Sequence, residues 1–296
     1  MSIEKDGTFF IDYNLDAGKK TFRILHACDL HLTTLLPVQN GKTLRLLSQA
    51  IDKCHPDLVV VNGDLVYMVR NSATLNRFAR FMEDKGVYWA YALGNHDVGV
   101  GRNKIKFVKS LERYPHCMFL TGDKSIGVGN YIIKLVKNDT CVYTLAFVDT
   151  SNKVITQSQT KWFCDALQNI DNKAGNIINN ITFMHVPLPA LKSLASGRYV
   201  GDVNKRICAL NSDGGFFDAV KGTNKNMAIF NGHDHTNNFS GVVDNVYLMS
   251  ALASGYGGYN KRGFPRGYVC IDIDLNNDSL DIKTFICDRN NNSKKL

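Results

Sequence analysis

Five short polar blocks in the sequence contain the residue types that bind metal ions. They are Asp29-Leu30-His31, Gly63-Asp64, Gly94-Asn95-His96-Asp97, His185 and Gly232-His233-Asp234-His235, and they hold five of the eight histidines. Aspartate, histidine and asparagine offer hard oxygen and borderline nitrogen donors, which suit Zn²⁺, Mn²⁺ or iron better than Ca²⁺ or Cu⁺. One such block is often structural, but five of one type indicate a metal centre.

The number of donors favours two ions over one. Seven residues of the blocks are candidate donors: Asp29, His31, Asp64, Asn95, His185, His233 and His235. A tetrahedral zinc takes only four ligands, whereas seven donors suit two ions if one carboxylate bridges them. Such a pair, roughly 3.5–4 Å apart, activates water and holds the oxygens of a phosphoryl group during in-line displacement. We therefore expect two divalent metal ions (Mn, Zn or Fe), with His96 beside them rather than bound to them.

The first three blocks follow segments that have the pattern of buried strands. Apolar runs over 22–28, 58–61 and 87–93 predict strands, and helical spacing over 43–54 and from Ser72 to Met82 predicts the helices between them. A βαβαβ run implies a parallel sheet with helices packed on it. Since ligands bind at the carboxyl edge of such a sheet, we expect the blocks to meet there.

The second half of the chain is richer in strands. The pattern predicts a hairpin over 131–136 and 141–148, a helix over 160–168, and strands over 181–184, 227–230, 242–250, 268–275 and 280–286. The segment 186–226 has little beyond a short helix near Phe216, and long irregular segments in a domain are usually functional or mobile. No shift in composition marks a boundary, so we expect one domain over 1–290 and a flexible basic tail over 291–296.

Composition places the chain among globular proteins. Of 296 residues, 44% are hydrophobic and 21% are charged, which excludes disorder for most of the chain. No uncharged apolar window of about 18 residues occurs, so a membrane-spanning helix is excluded. The first residues, with early acids and no apolar core, lack the pattern of a secretory signal. Eight cysteines stand singly with no C-x-x-C pair, which favours a reduced, cytoplasmic location.

The charge of the chain favours anionic partners. Its net charge is +8, but the positive residues are diffuse, with only a modest cluster between Arg102 and Arg113. A nucleic-acid-binding stripe is usually denser. The expected partner is therefore a phosphorylated substrate, which can be a protein, whereas nucleic acid and membranes are disfavoured and the oligomeric state stays open.

In this order, the five blocks resemble the motifs of the calcineurin-like metallophosphoesterase family across nearly the whole chain. The resemblance implies an α/β fold, namely a four-layer αββα sandwich with the dimetal site at the C-terminal ends of the strands. It further implies metal ligands for one ion (Asp29, His31, His235), for the other (Asn95, His185, His233), and a bridge (Asp64). His96 would meet the leaving-group oxygen or the transition-state charge, with Asp97 as an orienting partner.

Three segments are similar to the intracellular purple-acid-phosphatase-like subgroup. They are His185-Val186-Pro187-Leu188-Pro189, Gly232-His233-Asp234-His235 and Gly255-Tyr256-Gly257-Gly258-Tyr259. Purple acid phosphatases bind ferric iron through a tyrosine three residues beyond the bridging aspartate and have glycine where this chain has His31. Because this chain has both His31 and Tyr67, either residue can fill that position. We expect Tyr67 to be a packed aromatic beside the metals, and the centre to be colourless.

Substrate contacts are expected in two basic segments. The glycine-rich loop 255–267 follows the Gly-His-x-His block by one hairpin and can return to the metal edge, where arginine can grip phosphate through two hydrogen bonds. The candidates are Arg198 in the long segment and, in the loop, Tyr259, Arg262 and Arg266. The alternative is that the loop is simply solvated.

The resemblance and the donor set together imply an enzyme, a metal-dependent phosphoric ester hydrolase. The leading function is a phosphomonoesterase of the acid-phosphatase or protein-phosphatase kind that uses a hydroxide held by the metals. One alternative is a phosphodiesterase that acts on nucleotides or nucleic acid, since the same kind of site serves both. A second alternative is a non-catalytic binding scaffold, against which the complete ligand set and His96 argue.

Overall fold

Runs of buried aliphatic residues form the strands that carry the polar blocks. In the strand Leu58–Asn62 every residue is buried, and Asp64 follows after a single glycine. The structure is a computed structural model. It describes residues 2–6, 9–67, 71–97, 103–223, 225, 227–259, 264–287 and 293–295.

One sheet has six strands. In spatial order they are β15 (Ser293–Lys295), β14 (Leu280–Cys287), β13 (Arg266–Asp274), β3 (Thr21–Ala27), β4 (Leu58–Asn62) and β5 (Trp89–Ala92). The strands β3, β4 and β5 run parallel, which confirms the predicted βαβαβ unit. Beyond β3 the sheet continues antiparallel.

The other sheet has nine strands and supplies the second half of the site. In spatial order they are β1 (Ser2–Lys5), β2 (Phe10–Asn14), β6 (Tyr131–Lys137), β7 (Thr140–Phe147), β8 (Asn180–Phe183), β10 (Met227–Asn231), β12 (Val246–Ser250), β11 (Asn238–Val243) and β9 (Val200–Asp202). Its central strands β7, β8, β10 and β12 run parallel.

Alternation along the strands of the nine-stranded sheet separates two apolar layers. In β10, Ala228 and Phe230 belong to the core between the sheets, while Met227 and Ile229 belong to the core under the helices. Across the sandwich, the ring of His26 in β3 lies 5.6 Å from that of Phe230. The two sheets therefore pack face to face.

Helices cover the outer faces of both sheets. They are α1 (Pro37–Cys54), α2 (Asn71–Lys85), α3 (Lys104–Val108), α4 (Gln157–Ala174), α5 (Ala190–Ala195) and α6 (Phe216–Lys221), with a 3-10 turn over Lys109–Arg113. Phe78 of α2 packs on Trp89 of the six-stranded sheet, and Phe163 of α4 packs on Phe216 of α6. The predicted four-layer αββα sandwich is confirmed. Among the described residues, no helix combines the length and apolar character needed to cross a bilayer.

Two expectations about strands are corrected. The single strand predicted over 242–250 is two strands, β11 and β12, because Asp244 and Asn245 both take left-handed backbone angles and form a hairpin turn. At the end of the chain, Ser293–Lys295 forms a short strand that pairs with β14, which the sequence pattern did not predict.

Two cysteines are joined, contrary to the expectation that all eight are single. Cys54 ends α1 and Cys270 lies in β13, and a disulfide links them across 216 residues of sequence. Helix α1 packs on β3, the neighbour of β13, so the fold rather than any local motif brings them together. The expectation of a reducing compartment rested on eight unpaired cysteines, and this disulfide removes that support.

Candidate metal centre

The polar blocks converge at the carboxyl ends of strands from both sheets. Asp29 and His31 follow β3, Asp64 follows β4, and Asn95 and His96 follow β5. From the nine-stranded sheet, His185 follows β8, while His233 and His235 follow β10. The predicted meeting at this edge is confirmed, because the backbone amide of His31 donates to the carbonyl of Asp64 at 2.9 Å, and the backbone amide of His233 donates across the two sheets to Oδ2 of Asp29 at 3.0 Å.

Six of the seven predicted donors form two groups that could each hold an ion. The first group is Asp29, His31 and His235, and the second is Asp64, His185 and His233; within each group all ligand atoms lie within 4.8 Å of one another. The groups meet at Asp64, whose Oδ2 lies 3.2 Å from Nε2 of His185 and 3.5 Å from Nε2 of His31. One carboxylate oxygen therefore faces a histidine of each group.

The chemistry of the donor atoms fits metal ions. Buried polar atoms are normally hydrogen-bonded, yet Oδ1 of Asp29, Nε2 of His185 and Oδ1 of Asn95 are buried without a hydrogen-bond partner. The Nε2 atoms of His31 and His235 lie 3.0 Å apart. Two nitrogens that bind one ion at about 2.1 Å are about 3.0 Å apart when the angle at the ion is about 90°. These atoms have the arrangement of ligands around a cation.

Electrostatics at the centre favours bound positive charge. Burial opposes ionisation of Asp29, but the charges of His235 and His185 hold its pKa well below the usual range. Burial likewise disfavours a charged His185, but Asp64 and Asp29 raise its pKa to about 10. The two buried carboxylates thus attract a cation, and a metal ion competes with protons for these histidines.

Two backbone carbonyls orient the histidine ligands. Nδ1 of His185 lies 3.0 Å from the carbonyl oxygen of Asn62, and Nδ1 of His235 lies 2.7 Å from that of Tyr259. When Nδ1 donates to a carbonyl, the lone pair of Nε2 is left to face the centre. Sequence reasoning missed Asn62, whose only signal is its place directly before Gly63-Asp64.

The backbone at the centre takes angles that side chains rarely adopt. Asp29, His31, Asp64 and His233 have φ angles of 54°, 46°, 49° and 71°. Gly63 has φ of 80°, and a Cβ there would lie 2.3 Å from the His185 ring. Such strained angles persist only where the surroundings fix them, so the convergence of the strand ends holds the ligands in place.

His96 lies at the solvent side of the donors. Its backbone amide donates to Oδ1 of Asp64 at 2.8 Å, which leaves Oδ2 of Asp64 for the centre. Its side chain is 45% exposed, and its Nε2 lies 4.0 Å from that Oδ2. Burial of the inner part of the ring lowers its pKa. The imidazole therefore borders both the donors and the space that a substrate could enter.

Asp97 contacts the loop rather than the His96 ring. Its Oδ1 accepts from the amide of Val66 at 2.9 Å and its Oδ2 accepts from the amide of Gly94 at 2.7 Å. Burial, with the nearby charge of Asp64, raises its pKa to about 7. Because both of its oxygens accept from backbone amides, Asp97 fixes the turn that holds Asn95 and His96. In the described part of the chain, it makes no hydrogen bond to the His96 ring, which is the contact that the predicted orienting role requires.

Tyr67 packs against two histidines of the site. Its ring centroid lies 5.1 Å from that of His31 and 5.1 Å from that of His96, edge-on in both cases. This is the packed aromatic position that the sequence led us to expect.

The predicted substrate residues lie in different surroundings. Tyr259 returns to the centre and stacks on His235 with centroids 3.8 Å apart. Arg266 is buried at the start of β13 with its guanidinium 5.5 Å from the ring centre of Tyr256. Arg198 is exposed between α5 and β9. Arg262 lies outside the described residues.

The three histidines outside the blocks serve the fold. His26 is buried beside Phe183 and Phe230, and burial lowers its pKa to about 3. His116 pairs with Glu83 at 2.6 Å. His55 ends α1 in a left-handed conformation. The block pattern therefore separated site histidines from structural ones.

Known proteins resemble this chain in sequence over most of its length. The family model described as calcineurin-like phosphoesterase matches residues 22–237. The chain is 24% identical over 305 residues to probable inactive purple acid phosphatase 28 of Arabidopsis thaliana, which covers 86% of this chain and 76% of that protein. It is 26% identical over 316 residues to phosphatase DCR2 of Saccharomyces cerevisiae, which covers 90% of this chain and 53% of that protein.

Solved structures share the fold at low sequence identity. A dimetal phosphatase from Danio rerio superposes with a TM-score of 0.65 at 10% identity and covers 94% of this chain and 98% of that one. A purple acid phosphatase from yellow lupin superposes with a TM-score of 0.51 at 11% identity and covers 95% of this chain and 54% of that one. At these identities the likeness concerns the fold alone.

Proposed function

Because this chain belongs to the calcineurin-like phosphoesterase family, we propose that it is a metal-dependent phosphomonoesterase acting on a phosphoprotein or a small phosphorylated compound. The observation that carries the proposal is the complete donor set. Two groups of three ligands meet at Oδ2 of Asp64, and His96 borders them on the solvent side. A binding scaffold would have no need for unpaired buried donors beside a half-exposed imidazole.

The proposed donors would hold two metal ions. One ion would be held by Asp29, His31 and His235, a second by Asn95, His185 and His233, and Asp64 would join them. Two bound divalent ions supply activation of water and neutralise charge on the phosphoryl oxygens.

On the solvent side, His96 would give a proton or a hydrogen bond to the leaving-group oxygen. Its ring lies 5.4 Å from that of His31, within the row of imidazoles at the edge of the site. Burial and the charge of His185 lower the pKa of His233, and the charge of Lys153, which is exposed in the loop after β7, adds to this lowering. Its positive charge would favour a substrate with a doubly charged phosphate.

The names of the relatives support a monoester substrate. Purple acid phosphatases and a phosphatase are among them. Three relatives bear the words "probable inactive" in their names, but this chain has all seven predicted donors, and six of them form the two groups of ligand atoms. We therefore propose catalysis rather than binding alone.

Removal and return of metal tests this function. Protein treated with a chelator should hydrolyse neither a chromogenic phosphate monoester nor the matching diester, and Mn²⁺, Zn²⁺ or Fe²⁺ should restore activity. We expect the restored enzyme to cleave the monoester faster than the diester. A higher rate on the diester would contradict the monoester proposal, and a fully metal-loaded protein without any hydrolysis would support the binding scaffold.

Tyr67→Phe separates the two modes of metal binding left open by the sequence. Since His31 already faces His235 and Asp64, we expect the wild type to be colourless and Tyr67→Phe to keep its metal and most of its activity. Visible absorption and metal analysis of both proteins measure this. A coloured wild type whose band disappears in Tyr67→Phe would place the tyrosine on ferric iron instead.

A further inference from the structure

Tyr259 contacts both histidines of the Gly-His-x-His block. Its ring lies parallel to that of His235, with centroids 3.8 Å apart and an interplanar angle of 8°. Its carbonyl oxygen lies 2.7 Å from Nδ1 of the same imidazole. One residue therefore fixes both the plane of His235 and its tautomer.

The hydroxyl of Tyr259 holds the backbone of the block. It accepts from the amide of His235 at 3.2 Å, donates to the carbonyl of His233 at 3.2 Å, and accepts from Nζ of Lys205 at 2.8 Å. A tyrosine hydroxyl has one donor and two acceptor positions, so all three are used. The hydroxyl thus links the carbonyl of His233 to the amide of His235 across Asp234, directly after the left-handed residue His233, whose φ is 71°.

The loop and a lysine fix Tyr259 from both sides. A Cβ on Gly258 would lie 2.5 Å from Cε1 of His235 and 2.7 Å from Cδ2 of His31, so the loop reaches the imidazoles only because glycine stands there. On the other side, Nζ of Lys205 lies 4.4 Å from the centre of the Tyr259 ring. The ring is 49% exposed, yet its hydroxyl is fully engaged.

We infer that Tyr259 is a positioning residue that orients His235 and the His233–His235 turn for metal binding, rather than a substrate contact. Its hydroxyl acts on the backbone of the block, and its ring and carbonyl act on the imidazole. The inference rests on the proposed dimetal centre but not on hydrolysis, since it concerns how the histidines are held.

Tyr259→Phe tests this inference, because phenylalanine keeps the ring and the carbonyl and removes only the hydroxyl. Zn²⁺ binding to the metal-free protein is measured by calorimetry, and the geometry of the ligands by the visible spectrum of the Co²⁺-loaded protein. We expect the Zn²⁺ affinity of the more strongly affected metal site to fall about 10–100-fold, the usual effect of losing a group that orients a metal ligand. The Co²⁺ spectrum should shift, and KM should stay close to the wild-type value while kcat falls.

Tyr199→Phe is the matched control, because its exposed ring packs on Phe239 away from the donors. It should bind Zn²⁺ as the wild type does. Unchanged Zn²⁺ affinity and Co²⁺ spectrum in Tyr259→Phe, or a change in KM alone, would overturn the inference. If Tyr259→Phe does not fold, Lys205→Met must show a smaller loss of Zn²⁺ affinity, and wild-type affinity there would also overturn it. Weaker Zn²⁺ binding in Tyr259→Phe, with a wild type that hydrolyses no ester, would refute only the proposed activity.

Discussion

Replacing Asp64 with asparagine should abolish metal-dependent hydrolysis. Oδ2 of Asp64 lies within 3.5 Å of a histidine nitrogen from each group, so it would face both proposed ions. An amide oxygen in its place lacks the negative charge that two cations would share. We expect turnover to fall by at least about 10³-fold, which corresponds to about 4 kcal/mol of lost transition-state stabilisation.

The fold should survive this substitution. Asparagine has nearly the same volume, and its oxygen can still accept from the amide of His96. Asp12→Asn is the matched control, since Asp12 pairs with Lys134 on β2 and β6 and an exposed pair of this kind contributes about 0–1 kcal/mol. Activity and metal content are measured on the same samples. Retained activity with two bound metals would remove Asp64 from the bridging role.

His96→Ala should lower turnover by about 10²–10⁴-fold, the usual range for a positioned acid–base group. Metal content should not change, because the His96 ring is outside both groups of ligands and its backbone amide still donates to Asp64. Steady-state kinetics and elemental analysis together check both statements.

His116→Ala provides the comparison for His96, since it also removes a partly exposed imidazole but leaves the site untouched. It should retain full turnover. Loss of a metal in His96→Ala, by contrast, would make His96 a ligand and would require the roles of Asn95 and His96 to be reassigned.

Six of the seven donors predicted from the sequence come together in the structure because their positions follow from local patterns. Asp29, Asp64 and Asn95 come soon after buried strands, and parallel strands bring their carboxyl ends to one edge. The same reasoning gave His185 and the Gly-His-x-His block, although these belong to a different sheet. The order of the polar blocks along the chain was sufficient to predict these residues, because each block closely follows a strand.

Contacts between distant segments were beyond such patterns. Nothing near Tyr259 in the sequence indicates that its hydroxyl joins His233 to His235, so it was expected to meet substrate. Cys54 and Cys270 are likewise brought together only by the packing of a helix on a sheet. The strand β9 has three exposed residues and no apolar alternation, so its pairing with β11 left no signal.

The division of each ligand group between the two sheets has a mechanical consequence. In the first ligand group, Asp29 and His31 follow a strand of the six-stranded sheet, and His235 follows a strand of the nine-stranded sheet. In the second group, Asp64 follows a strand of the six-stranded sheet, and His185 and His233 follow strands of the nine-stranded sheet. Each ion would therefore link the two sheets, and the residues of one sheet alone would not complete either ligand group. Binding of an ion is thus coupled to the packing of the two sheets against each other. A free ion concentration of about 100 times the dissociation constant would raise the free energy of unfolding by about 2.7 kcal/mol. We therefore expect release of metal to require opening between the sheets, which hydrogen exchange at their facing strands would measure.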